Sequence, residues 1–207
     1  MSKIAAIAAG TTVVALIGGA YLFTLVDRDA DVFAQCRASQ VAGGDIGGPF
    51  TLVNGDGVTV TSEEVIDQPS LIYFGYTFCP DVCPLDVARN TVAIEILEED
   101  RGMMVQPVFI SIDPERDDVQ TVSDYAANFH ERMVGLTGSP EQVKSASTAY
   151  RTYYRKQEGD DPDYYLMDHS TFSYLMFPDV GLVEFFRNDI GPEKMADQMA
   201  CFVEAAA

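Results

Sequence analysis

Two thiols set four positions apart, Cys79 and Cys83 in Phe78-Cys79-Pro80-Asp81-Val82-Cys83-Pro84, are the most reactive feature of this 207-residue chain. Residues i and i+4 share one face of a helix, so both sulfurs can meet a single ion. In an irregular first turn they can instead close a disulfide. Pro84 suits the first turn of a helix, and thiols at that end feel its positive pole, which favours thiolate. Thiolate binds soft metals, namely Cu(I), zinc or iron–sulfur clusters, or attacks a disulfide. Two sulfurs rarely complete a metal site, and the chain has only His130 and His169 to offer as imidazoles. His169, in Met167-Asp168-His169-Ser170-Thr171, reads either as a ligand or as a satisfied core histidine. His130, at the end of an expected helix, reads as a surface histidine complementing the helix dipole.

The elements that must position these groups are legible from periodicity. Leu71–Phe74 is a β-favouring apolar run ending at Gly75, a buried strand that leads into the thiols. Beyond them Leu85, Ala88, Val92, Ile96 and Leu97 recur at helical spacing to about Asp100. Before the strand, a hairpin is expected around Asn54-Gly55-Asp56-Gly57. After the helix come a strand over Val105–Ile112, a helix over Asp118–Phe129 and a short strand over Val134–Leu136. Ser139-Pro140-Glu141 starts a helix read as running to about Tyr154. The polar stretch Glu158–Asp163 is the most disorder-prone part of the domain. Strands are expected over Tyr164–Met167 and Thr171–Phe177, with Val183–Phe186 pairing back, then a helix from Pro192 to about Ala205. This order predicts an α/β, thioredoxin-like fold, a central mixed sheet flanked by helices.

The formal net charge of −19 excludes a nucleic-acid binder. Ile4–Val26 carries no charged residue and is long enough to cross a bilayer. Lys3 before it and Asp27, Asp29 and Asp31 after it place the N-terminus in the cytoplasm and the domain outside. A cleaved signal peptide is the competing reading. The chain thus divides into an anchor (1–30), a tether and Gly-rich linker (31–48) and a domain (49–207). Outside the cytoplasm, unassigned cysteines tend to be oxidised, so Cys36 and Cys201 are expected to be bridged, against two independent buried thiols.

Other residues have bland readings. Met195 and Met199 share a helix face and, with Met167, read as core filler rather than ligands. Asp81 reads as a helix-start residue or a tuner of the metal. Asp113, Glu115, Asp117 and Asp118 read as a solvated loop, and Tyr150, Tyr153 and Tyr154 as helix packing.

Tyr73–Pro84, Ser111-Ile112-Asp113-Pro114-Glu115-Arg116-Asp117, Leu136–Val143 and Asp168-His169-Ser170 together resemble the Sco/SenC family, over roughly Gly47–Ala200. The resemblance implies a membrane-anchored copper chaperone for cytochrome oxidase, with Cys79, Cys83 and His169 holding one copper as Cu(I) or Cu(II). It implies as partners the copper-site subunit of the oxidase and a copper-loading chaperone. The implied location is a bacterial-type inner membrane, single-pass with the domain in the periplasm, or the mitochondrial intermembrane space. Phe78 stands where many members carry a histidine. The dithiol also suits a thiol–disulfide oxidoreductase acting on the oxidase or its assembly partners. A peroxidase expects a threonine three positions before the cysteine, whereas Thr77 is two before Cys79; a catalytic zinc is chemically allowed and demoted only by the resemblance.

Overall fold

The computed structural model describes residues 32–37, 46–158 and 164–206. The proposed anchor, most of the tether and residues 159–163 of the polar stretch lie outside the described residues. Among those described, no helix is long and apolar enough to cross a membrane.

The elements are β1 (Thr51–Asn54), β2 (Thr59–Thr61), α1 (Ser62–Val65), β3 (Ser70–Gly75), α2 (Val82–Arg101), β4 (Gln106–Ser111), α3 (Val119–Phe129), β5 (Val134–Thr137), α4 (Pro140–Ala149), β6 (Tyr154–Lys156), β7 (Met167–His169), β8 (Ser173–Phe177), β9 (Gly181–Phe186) and α5 (Pro192–Ala206). Seven strands form one mixed sheet, ordered β2-β1-β5-β4-β3-β8-β9, and β6 with β7 forms a separate ribbon. The pairs β3–β4 and β4–β5 are parallel, bridged by α2 and α3, while β8 runs antiparallel to β3. This is the thioredoxin-like architecture expected.

Every residue of β3 is buried, which is why its sequence is continuously apolar rather than alternating. Pro107 sits inside β4 without breaking it, because pairing with β5 begins one residue later, at Val108↔Val134. Helix α2 ends at Gly102, whose φ of 64° is the left-handed conformation that glycine adopts without steric cost. Met195 and Met199 are fully buried on α5, filling the core as expected.

Several expectations are corrected. The face of α2 that packs inward is Cys83, Asp86, Val87, Asn90, Thr91, Ala93, Ile94 and Leu97. Leu85, Ala88 and Val92 face solvent. The apolar row misled because the inward face carries a polar network: Tyr73 Oη donates to Asp86, Arg89 pairs with Asp86, and Arg89 and Asn90 donate to Ser173 Oγ. Buried polar groups that satisfy one another are tolerated in a core, so apolar periodicity alone chose the wrong face.

Helix α4 stops at Ala149 rather than near Tyr154. Arg151 takes φ 50°. Its N–H donates to Thr148 O, and the N–H of Thr152 donates to Ser147 O. That pair of bonds is a left-handed C-terminal cap built without glycine, so the sequence carried no stop signal. Tyr154 then enters β6 and packs partly buried against the core, Tyr153 is exposed, and only Tyr150 is fully buried.

Asp113 and Asp117 are not solvated; they are 2% and 0% exposed. His130 is likewise buried, with Nδ1 accepting from the Arg132 N–H.

Candidate metal centre

Strand β3 ends at Gly75, and the chain passes through Tyr76-Thr77-Phe78 before the first thiol. Gly75 has a steric reason: a Cβ there would lie 3.0 Å from Cys83 Sγ and 2.9 Å from the Tyr73 ring. Cys83 is fully buried in the first turn of α2, and Cys79 is half-buried just before it. Asp81 occupies the N-cap but its side chain makes no capping bond. The sulfur does that instead, since the Cys83 N–H donates to Cys79 Sγ at 3.3 Å.

The third group arrives from the ribbon. His169 closes β7, opposite Tyr154 on β6, rather than sitting in a break between strands. Its Nε2 lies 3.3 Å from Cys83 Sγ, and one donor atom from each of Cys79, Cys83 and His169 falls within 4.8 Å of the others. Nδ1 lies 2.8 Å from Ser170 O, which only accepts, so Nδ1 carries a proton and Nε2 is the ring nitrogen that faces the sulfurs. The rings of Tyr73 and Tyr76 meet the imidazole edge-on at 6.4 and 5.8 Å.

The two thiols share one proton unequally. The hydrogen bond from Cys83 holds the Cys79 thiol far below its usual range, to about 3; burial opposes this, and His169 and backbone N–H groups assist it. Cys83 is pushed far above the thiol range by that same bond and by burial. At neutral pH the pair is one thiolate and one thiol.

Sequence reasoning missed the carboxylate beneath the thiol loop. Asp117 accepts from the Thr77 N–H (3.0 Å), Thr77 Oγ (2.6 Å) and Ser111 Oγ (2.6 Å), so the segment after β4 latches the segment after β3. The available signal was topological: parallel neighbours end at the same edge of a sheet, which brings their following loops together. Burial raises the Asp117 carboxyl above its usual range, against the pull of those bonds. A carboxyl raised in the folded state favours folding most below its unfolded pKa and loses that contribution as pH rises through the folded value. Replacement by alanine strands three donors, so Asp117→Ala is expected to cost about 2–3 kcal/mol. Asp117→Asn, which keeps all three contacts if its amide donates to the Thr77 hydroxyl, stays near wild type and removes that decline with pH. Urea unfolding across the acid-to-neutral range measures both.

Two sulfurs at the mouth of the first crossover helix, met by an imidazole from a separate ribbon, define a thioredoxin-like dithiol protein with a soft-metal donor set. The chain belongs to the SCO1/SenC family, whose model matches residues 38–204. Protein SenC of Rhodobacter capsulatus is 47% identical over 205 residues, covering 99% of this chain and 92% of that one. The mitochondrial SCO1 homolog 1 of Arabidopsis thaliana is 45% identical over 152 residues, 73% of this chain but only 45% of that longer protein. Among solved structures, Arabidopsis thaliana ScoI with copper bound superposes with TM-score 0.72 at 43% identity, covering 78% of this chain and 98% of that one. Yeast Sco1 with copper bound gives TM-score 0.72 at 34% identity, covering 77% and 88%.

Proposed function

We propose that this chain is a membrane-anchored, periplasm-facing copper chaperone that delivers copper to cytochrome c oxidase during its assembly. The observation that carries the reading is the convergence of Cys79, Cys83 and His169 within 4.8 Å. Two sulfurs and one nitrogen suit Cu(I), which tolerates low coordination and so needs no fourth protein ligand. Relatives support it: the Arabidopsis and yeast proteins were solved with copper bound, and a Sco relative 26% identical to this chain is described as a member of the Sco family of cytochrome c oxidase assembly proteins. The division into anchor (1–30), tether (31–48) and copper-binding domain (49–207) belongs to the same proposal. So do docking on the oxidase copper-site subunit and loading by another copper chaperone.

A second reading is favoured by the unequal thiols. As a thiol–disulfide oxidoreductase, the Cys79 thiolate attacks a partner disulfide and forms a mixed disulfide. Cys83 then resolves it, its proton passing to the departing partner thiolate. The thiolate released first takes its proton from solvent, so the partner ends as a dithiol and the pair as a disulfide.

His169→Ala separates the two. Loss of tight copper binding with disulfide reductase activity retained supports the chaperone. Copper affinity equal to wild type removes His169 from the site and leaves a redox protein.

A further inference from the structure

The ribbon that carries His169 forms no hydrogen-bonded ladder with the main sheet. Two short strands are marginal alone, so something else must fix the imidazole opposite the sulfurs. The geometry points to Arg116 as the positioning residue that holds His169 at the thiols, an inference that rests on the copper reading above.

Arg116 touches three segments at once. Nε donates to Asp113 Oδ2 at 2.6 Å, and Nη1 donates to the backbone oxygen of Tyr165 at 3.0 Å. Its guanidinium carbon lies 3.6 Å from the centre of the Tyr165 ring and 4.7 Å from that of Phe78. Phe78 immediately precedes Cys79, while Tyr165 lies four residues before His169. One planar cation is thus clasped between the thiol loop and the ribbon. Its fork engages a carboxylate and a carbonyl while its faces meet aromatic rings, a combination an ammonium cannot reproduce.

The remaining connections converge on the same clasp. Tyr165 Oη donates to Asp113 Oδ1 at 2.6 Å, so the arginine and the ring share one carboxylate. Lys156 on β6 covers the Tyr165 ring at 3.6 Å and pairs with Glu115 at 3.0 Å, but both partners of that pair are solvent-exposed and it contributes little. Nearer the imidazole, the Met167 N–H donates to Tyr76 Oη at 3.3 Å. Removing the guanidinium leaves this bond, the Tyr165 Oη bond to Asp113, the exposed Lys156–Glu115 pair and the burial of Tyr165 and Met167 to hold the ribbon in place. Arg116 itself is 18% exposed at the side chain, and its Asp113 partner 3%.

The test compares wild type, Arg116→Ala, Arg116→Lys and His169→Ala in the full chain. Three quantities are measured: Cu(I) release to a chelator, nitrogen coupling in the electron paramagnetic resonance spectrum of the Cu(II) form, and amide exchange of the metal-free protein. Losing a group that holds a metal-ligating side chain in place costs about 10–100-fold, and Arg116→Ala is expected to release copper faster by that factor. Its nitrogen coupling shifts toward that of His169→Ala, and the Met167 amide exchanges faster while Phe74 and Ile110 in the central sheet keep their protection. Lysine restores charge without the fork and stays closer to alanine than to wild type. Copper release and Met167 exchange equal to wild type overturn the inference, as does a uniform loss of protection across the sheet, which marks a general structural role. If wild type takes up no copper, the chaperone reading falls, and Met167 exchange still decides whether Arg116 clasps the ribbon.

Discussion

Cys83→Ala lowers Cu(I) affinity by about 10²–10³-fold, measured by competition with a chelator. Four-ligand soft sites bind their metal with roughly 10–16 kcal/mol at neutral pH, which is about 2.5–4 kcal/mol per ligand. The variant also changes which thiol gives up the proton. Because Cys79 is already thiolate and Cys83 is protonated, copper displaces one proton, from Cys83. Wild-type affinity therefore falls about tenfold for each unit of acidification near neutrality. In Cys83→Ala the hydrogen bond that held Cys79 ionised is gone, so the Cys79 thiol moves back up and the proton released on binding comes from Cys79 instead. Release of two protons on binding at neutral pH contradicts the unequal sharing on which the site electrostatics rest.

Removing the Cys36–Cys201 bridge has the largest expected effect on stability. The bridge closes a loop of sequence separation 165 and joins the post-anchor segment to α5, as expected from compartment alone. Chain entropy assigns such a loop about 5 kcal/mol at most, and measured bridges of this kind give roughly 2–4 kcal/mol. The Cys36→Ser, Cys201→Ser double variant should unfold at markedly lower urea while copper affinity is kept, since the donors come from the thiol loop and β7. An unchanged unfolding midpoint shows that the bridge contributes nothing to the folded state. The inward face of α5, with Met195, Met199 and Phe202, keeps its core contacts in the variant, so unfolding remains cooperative.

Much of the site was written locally. Cys79 and Cys83 sit one helical turn apart between a buried strand and a proline, and local chemistry suffices to read them as thiols at a helix mouth. The polar network under α2 shows where that kind of reading fails. Asp86 and Asn90 are polar by type and buried by circumstance, because Tyr73 and Ser173 come from strands β3 and β8 to satisfy them. The left-handed cap at Arg151 was invisible for a related reason: a residue type with no preference for that conformation is held there by tertiary context.

By itself the sequence determined the central strands and the helices between them, the thiol pair and the chemistry open to it, since these depend on neighbours within a few residues; it did not show α1 or β6, and it set the strand now β7 too early. Only the tertiary structure decided that His169, 86 residues beyond Cys83, presents Nε2 to the sulfurs while His130 pairs elsewhere. It also decided that Asp117 latches the thiol loop and that Arg116 spans loop and ribbon. Those outcomes follow from which strands lie side by side, and strand adjacency is set by burial and pairing summed over the whole sheet rather than by any one segment.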